Sequence, residues 1–465
     1  MPISSHASSP YVAIVGATII DGNGGNPIEN GVLIIENDRI VAVGNHSTPI
    51  PAAARRIHAA GQYVIPGMMD ANVHLFYVVT PDDLVRYEGR YEEVILEAAQ
   101  VALKGGVTTV FDTWGPREAL GNAQDLINRG VTPGSRIFFA GNIIGLGGPT
   151  STDFYPVART VLGKAEADAI DHRWEQGVGP ELLWMTPEEI RDRVRTYLQS
   201  GHQDFLKYAG SGHTHMQFIS FSAEAQRAIV EEGHRVGFTV QAHTTSPETL
   251  RMEIEAGADL LQHGDVTGAA PIPEKTLRQI IERELPCAAM FVTRRHLDWY
   301  QAHGSEPMKT YRRVQEANDR RLVAGGARIL LTTDAGVLSP TVKDHPILGS
   351  WVAAEDLPTE LGEAHFRWLE AAFELGMSPM AVLMAATRNV AKAYKVDKTL
   401  GTLERGKIAD LVILEKNPLD AAAHYRSIQT IIKEGKIIDY GSLPSTRIVT
   451  ARTIPQTPSH LQEFR

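Results

Sequence analysis

Six side chains of metal-binding type follow short apolar stretches that lie far apart in the chain: Asn72, His74, Lys207, His243, His263 and Asp334. Imidazole is the commonest protein ligand of metal ions, and oxygen donors also bind them. A lysine inside an apolar stretch needs an anionic partner or a chemical modification. Each residue alone has an ordinary structural explanation, such as a hydrogen-bonded core histidine or a helix-capping aspartate. Their joint occurrence after five predicted strands indicates one shared metal site, where activated water could hydrolyse a bond.

Eight short apolar stretches, most of them followed by a segment with helical periodicity, could position these side chains. The predicted strands are Val64–Asn72, Val107–Thr113, Arg136–Ile144, Asp204–Ala209, Phe238–His243, Asp259–His263, Pro286–Val292 and Arg328–Asp334. Helical periodicity is clear at Tyr91–Lys104, Pro187–Gln199, Ala223–Val236 and Tyr311–Ala324. Eight strand–helix units predict an α/β fold of the (β/α)8 TIM-barrel type, whose strands end at one common mouth. Residues i and i+2 of a strand face the same side, so Asn72 and His74 point together into the barrel.

Both ends of the chain read as short strands separated by turns. The predicted strands are Val12–Ile20, Gly31–Glu36 and Arg39–Val43 at the beginning, and Asp410–Leu414, Ile428–Lys433 and Lys436–Ile438 near the end. We therefore predict one small β domain assembled from residues 1–63 and 396–445, with the barrel over residues 64–395. Residues 446–465 are rich in Thr, Pro and Gln and are predicted to form a C-terminal arm.

Three long connections, over residues 145–185, 293–309 and 336–359, would emerge at the barrel mouth. Long loops at that position often form lids and pocket walls. Aromatic side chains in and near these loops would suit the aryl ring of a neutral substrate, although each could instead anchor its loop. The candidate substrate-binding residues are Phe76, Tyr77, Tyr208, His215 and His345.

Composition argues against several classes of protein. The 465 residues are 43% hydrophobic and 22% charged, which is typical of a soluble globular protein rather than a disordered one. No apolar run approaches the ~20 residues that cross a bilayer, and the first residues lack a secretory signal, so we expect a cytoplasmic protein that does not bind membranes. The formal charge of −10 argues against nucleic acid as a partner. A single cysteine, Cys287, excludes an internal disulfide and a cysteine-rich metal site.

The complete pattern resembles the amidohydrolase superfamily over nearly the whole chain. Besides the ordered set of Asn-x-His, Lys, His, His and Asp, four segments are similar to that family: Val-Ile-Pro-Gly-Met-Met-Asp at 64–70, Gly-Gly-Val-Thr-Thr-Val at 105–110, Ala-Ala-Thr-Arg-Asn-Val-Ala at 385–391 and Gly-Thr-Leu-Glu-Arg-Gly-Lys-Ile-Ala-Asp-Leu at 401–411. The resemblance implies a metal-dependent barrel joined to a composite β-sandwich that both chain ends form. It also favours a homo-oligomer.

The same resemblance implies a role for each residue of the metal site. His74 and Asp334 would bind the more buried metal, and His243 and His263 the second. Lys207, carboxylated by carbon dioxide, would bridge the two ions as an anion. Asp334 would take the proton of the attacking water and pass it to the leaving nitrogen. Zinc is the favoured metal, and Mn, Fe, Co or Ni would suit the same ligands.

One position departs from the family pattern, because Asn72 stands where His-x-His is usual. An amide oxygen is a weaker ligand than imidazole for such metals, so the site would hold one or two ions. Asn-x-His with an otherwise complete set is similar to the bacterial phenylurea hydrolases. This likeness predicts cleavage of a C–N bond other than a peptide bond in a neutral urea, with an N-aryl urea giving an aniline and a carbamate that breaks down to an amine and carbon dioxide.

Two alternatives stay open at this point. A related amidohydrolase that cleaves dipeptides, carbamates or N-acyl amino acids would use the same metal site. A member that has lost metal ligands would instead serve as an inactive assembly or binding protein, and Asn72 is one step in that direction.

Overall fold

A computed structural model describes residues 9–76, 81–152, 154, 158–212, 218–337 and 359–443. Its strands are β1 Tyr11–Ile19, β2 Ile28–Glu36, β3 Arg39–Gly44, β4 Arg55–His58, β5 Tyr63–Pro66, β6 Met68–His74, β7 Val107–Asp112, β8 Arg136–Phe139, β9 Leu206–Ala209, β10 Val240–His243, β11 Leu260–Gln262, β12 Cys287–Ala288, β13 Ile329–Leu330, β14 Ala335–Gly336, β15 Leu411–Leu414, β16 Ile428–Lys433 and β17 Lys436–Ile437. The predicted arm over residues 446–465 lies outside the described residues.

Helices α1 to α11 lie between the strands β6 to β13, and α12 to α14 come after β14. They are α1 Pro81–Arg86, α2 Tyr91–Lys104, α3 Arg117–Asn128, α4 Ala158–Val161, α5 Lys164–Glu175, α6 Pro187–Gln199, α7 Ala223–Arg235, α8 Pro247–Ala256, α9 Glu274–Glu282, α10 Arg294–His303, α11 Glu306–Ala324, α12 Ala364–Glu374, α13 Pro379–Ala385 and α14 Arg388–Ala393. Local signals explain their starts. For example, α6 begins at a capping box in which Thr186 and Glu189 satisfy each other's backbone amides. None of the described helices is both long and apolar enough to span a bilayer.

An eight-stranded sheet contains strands from both ends of the chain. Its order is β17-β16-β15-β5-β1-β2-β3, with β4 also paired to β1. One contact between the two ends is the antiparallel pair of β5 and β15, in which Val64 lies opposite Ile413. The β2–β3 turn places Asn37 at φ 55°, a left-handed conformation that asparagine tolerates better than most residues.

The middle of the chain forms two parallel sheets, with strand orders β13-β12-β11-β10-β9 and β14-β6-β7-β8. Backbone hydrogen bonds also join these sheets at both edges. On one side the amide of Ile144 donates to the carbonyl of Lys207 at 3.0 Å, and on the other the amide of Ala71 donates to the carbonyl of Leu331 at 2.9 Å. The predicted α/β class with parallel strands is confirmed.

An apolar layer lies beneath the strand ends that carry the candidate site. Phe111 of β7, Leu260 of β11, Leu330 of β13 and Phe205, directly before β9, belong to one buried cluster. Because side chains alternate along a strand, residues two positions apart point to the same side of the sheet. Lys207, two positions after Phe205, therefore points to the side on which this cluster lies.

Several predicted boundaries were wrong. The segment predicted as one strand, Val64–Asn72, is divided at Gly67: β5 belongs to the sheet of the chain ends, and β6 begins the parallel sheet. Only glycine fits there, because a Cβ on Gly67 would lie 2.1 Å from Oγ1 of Thr108. The predicted strands after residue 200 are shorter than expected: β9 and β10 begin two residues later than predicted, and β12 and β13 end four residues earlier. The predicted loop 293–309 is mostly the helix α10.

A buried ion-pair network joins the two parts of the fold, and its removal should destabilise the protein. Arg136, at the start of β8, donates to Asp410 at 3.0 Å and to Glu434 at 2.8 Å. We expect Arg136→Met to lower the free energy of unfolding by about 3 kcal/mol, because it leaves the buried Asp410 without its cation and Glu434 with Lys433 alone. Arg129→Met is the control: Arg129 pairs with Asp125 at the exposed end of α3, and its loss should cost about 0.5 kcal/mol. Urea titration measures both, and equal losses would contradict a structural role for Arg136.

Candidate metal centre

The ends of β6 and of the eighth strand segment bring three predicted ligands into contact. Nδ2 of Asn72 donates to Oδ1 of Asp334 at 2.7 Å, and Nε2 of His74 lies 3.0 Å from the same oxygen. Asp334 lies between β13 and β14 at φ 55°, a left-handed backbone conformation that is uncommon for aspartate. Strain of this kind persists where the surrounding structure imposes it, which is common at functional sites.

Lys207 joins this group through a threonine. Its Nζ donates to Oγ1 of Thr113 at 3.0 Å, and the Thr113 hydroxyl donates in turn to Oδ1 of Asn72. Lys207 is only 1% exposed, and burial lowers the pKa of its amine to about 8, although Asp334 and Asp112 act in the opposite direction. The neutral amine is therefore accessible near neutral pH, and it is the form that can react with carbon dioxide.

His243 and His263 form the second part of the site. Both are almost completely buried, and their ring centroids are 5.1 Å apart in an edge-to-face arrangement. Burial by itself would raise the pKa of Asp334, but electrostatic attraction and a hydrogen bond from His74, with smaller contributions from His263 and Lys207, hold that pKa well below the usual value. The Asp334 side chain is 28% exposed, which makes it the most exposed of the predicted ligands.

The chemistry of this set fits a divalent metal, although its side chains are not arranged as a finished coordination sphere. Within the part of the chain that the structure describes, no three His, Cys, Asp or Glu side chains are arranged so that they could hold a metal ion. Two of the six predicted ligands are an amide and a lysine, and the other four lie as one His–Asp pair and one His–His pair. Three imidazoles and an ionised carboxylate in a nearly dry site nonetheless match what such metals bind.

Two buried carboxylates that the sequence reasoning missed hold the strand ends in place. Asp70 accepts from the amide of Asn72 at 3.2 Å and from the hydroxyl of Thr333 at 2.6 Å. Asp112 accepts from the amide of Leu75 at 2.7 Å. Burial raises the pKa of each carboxyl to about 7. Both residues follow apolar runs in the sequence, and that position was the signal that could have identified them.

A tryptophan that was also missed forms an apolar wall beside the site. The Trp114 ring meets the His74 ring edge-on, with centroids 6.0 Å apart, and stacks on Phe154 at 3.9 Å. Its indole nitrogen donates to Asn142 at 3.2 Å. The residue lies just beyond β7, so its place at a strand end could have indicated it.

The predicted substrate contacts are placed differently from what the sequence suggested. Phe76 is buried, with its ring 4.4 Å from that of Tyr91. The hydroxyl of Tyr208 donates to Gln226 of α7 at 3.1 Å, so this side chain is directed away from Lys207. The remaining predicted contacts lie outside the described residues: Tyr77, His215 and His345.

The chain is similar in sequence and in structure to known hydrolases. The model of the amidohydrolase family matches residues 63–438. The solved structure of a molinate hydrolase superposes with a TM-score of 0.89 at 38% identity, covering 97% of this chain and 99% of that one. The structure of phenylurea hydrolase B superposes with a TM-score of 0.87 at 37% identity, covering 95% and 100%. Ochratoxinase of Aspergillus niger is 24% identical over 452 residues, which are 92% of this chain and 86% of the Aspergillus protein.

Proposed function

Because the chain belongs to the amidohydrolase family and is therefore a hydrolase of C–N bonds, we propose that its substrates are neutral ureas, above all N-aryl ureas. The observation that carries this proposal is the similarity to phenylurea hydrolase B along almost the entire chain. Hydrolysis would give an aniline and a carbamate, and the carbamate would break down to an amine and carbon dioxide. The aromatic wall at Trp114, beside His74, is a suitable surface for the aryl ring.

The fold that presents this site is proposed to be a closed (β/α)8 barrel with a composite β-sandwich. Support for the barrel comes from the hydrogen bonds at both edges of the two parallel sheets, between Ile144 and Lys207 and between Ala71 and Leu331. Support for the sandwich comes from the eight-stranded sheet, to which both chain ends contribute. On this proposal the barrel extends from about residue 64 to residue 395.

The residues proposed to hold the metal are those that the family resemblance implied, and the contacts of Asn72, His74 and Asp334 support this set. His74 and Asp334 would bind one ion, His243 and His263 would bind a second, and carboxylated Lys207 would bridge them. Zinc is the proposed metal. When bound, a divalent metal lowers the pKa of water and polarises the carbonyl of the urea.

The chain's own groups would handle the proton and the modification. Interactions with neighbouring groups, above all His74, lower the pKa of Asp334, so its carboxylate is ionised and can accept a proton from water and deliver it to the leaving nitrogen. Asn72 donates a hydrogen bond to that carboxylate and accepts one from the Thr113 hydroxyl. These two hydrogen bonds orient the Asn72 amide and the Asp334 carboxylate. At Lys207, the ammonium would first lose one proton to solvent, and the neutral Nζ would then form a bond to the carbon of carbon dioxide and lose a second proton to solvent. A buried cation would thereby become an anion.

A substrate panel tests the proposal. Protein loaded with zinc should hydrolyse N-aryl ureas with a kcat/KM about 100-fold above that for N-acyl amino acids or dipeptides, with the aniline followed by liquid chromatography. Chelator-treated protein is the control and should be inactive until zinc is restored. Metal-loaded protein that cleaves only N-acyl amino acids or dipeptides would favour the second enzyme hypothesis. Protein that binds no metal would favour an assembly role.

A further inference from the structure

A methionine contacts the outer nitrogen of one predicted metal ligand. His263 follows β11 at φ 56°, and its Nδ1 lies 3.0 Å from Sδ of Met290, which follows β12. A thioether sulfur carries no hydrogen, so a hydrogen bond here requires the proton on Nδ1 of the histidine. The neutral ring then has its lone pair on Nε2, so in this tautomer Nε2 is the ring nitrogen able to coordinate a metal.

The backbone of Met290 is held in turn by buried polar groups. Its amide donates to both carboxylate oxygens of Asp265 at 3.1 Å, and its carbonyl accepts from Nε2 of Gln315 at 2.9 Å. The same Gln315 nitrogen donates to Oδ2 of Asp265 at 2.7 Å. Asp265 lies two residues after His263, so the loops that carry the histidine and the methionine are tied to each other.

Helix α11 supplies the other side of this connection. Asn318, one turn after Gln315, donates to the carbonyl of Asp265 at 2.9 Å and to the hydroxyl of Thr267 at 2.8 Å. Arg312, one turn before Gln315, donates to Oε1 of Gln315 at 2.7 Å. Residues three apart share one helix face, so a single face of α11 is hydrogen-bonded to the loop after β11 and to the loop after β12.

From these contacts we propose that Met290 is a positioning residue that fixes the tautomer and the orientation of His263 for metal binding. The inference rests on the proposed function, because it concerns the metal that His243 and His263 would share. Metal-binding histidines usually donate their second nitrogen to a carboxylate, a carbonyl or water, which makes the ring more basic. Sulfur is a weaker acceptor, so it orients the ring of His263 while adding little to its basicity.

Three variants and cobalt as the probe metal test the role of Met290. Met290→Leu retains the size of the side chain and removes the acceptor, so the dissociation constant for Co²⁺ should rise about tenfold or more. The visible absorption bands of bound cobalt should also shift. Met290→Gln restores an acceptor and should recover wild-type affinity or exceed it. Met377→Leu is the control, since Met377 is similarly half-buried but lies at the end of α12.

The measurements are cobalt affinity by competition with a chelator, the cobalt spectrum, and the thermal midpoint of each metal-free protein. We expect the metal-free midpoints to agree and only Met290→Leu to lose affinity. Unchanged affinity and spectrum in Met290→Leu, or an equal loss in Met377→Leu, would overturn the proposal. Wild-type protein that binds no cobalt would instead overturn the proposed function.

Discussion

Asp334→Asn is expected to lower kcat by about 10³-fold while leaving the protein folded, because it removes the group proposed to move the proton. Asparagine has nearly the same size and tolerates the left-handed backbone at φ 55°, so the change is mainly one of charge and basicity. The expected loss is in kcat more than in KM, since the proton moves only in the reaction. Steady-state kinetics on zinc-loaded protein with an N-aryl urea measures it.

The control for this variant is Asp204→Asn. Asp204 is likewise half-buried, but it accepts from the amide of Phe139 at the opposite end of β9 and should leave kcat nearly unchanged. A wild-type kcat in Asp334→Asn would show that another group accepts the proton. The pKa of Asp334 lies well below its usual value, and a base works when it is deprotonated. Any loss of activity between pH 5 and 7 is therefore expected to come from a different group.

Lys207→Met is expected to reduce the metal content from two ions to at most one and to lower kcat/KM by about 10³-fold or more. Methionine fills a similar volume at this buried position, so the fold should survive. What is lost is the anion that carboxylation would create, and two divalent charges would then repel each other in a nearly dry site. Elemental analysis and kinetics measure the two effects.

Carbon-13-labelled bicarbonate makes the modification itself visible. The wild-type protein should show a carbamate carbon signal in the nuclear magnetic resonance spectrum, and Lys207→Met should lack it. Lys395→Met is the matched control, because Lys395 is half exposed and pairs with Asp259. Full metal content without a carbamate signal would contradict the bridging role of Lys207.

Much of the local structure could be predicted because its signal is local. The helices α2 and α6 and the strand β16 have the predicted bounds, since the periodicity of each element and the capping residues of α6 lie within it. The order of candidate ligands along the chain was equally visible, because each one lies within or just after a predicted strand. Residue type and strand parity were enough to predict that Asn72 and His74 act together.

What the sequence alone determined is therefore the kind of chemistry and the set of elements that carries it. Tertiary structure decided the partners: the division of the first predicted strand at Gly67, the Thr113 hydroxyl between Lys207 and Asn72, and the sulfur of Met290 beside His263. These hydrogen bonds join residues that are 27 to 94 positions apart in the chain. Periodicity and local propensity do not encode such distances, because they depend on how whole strands and helices pack against one another.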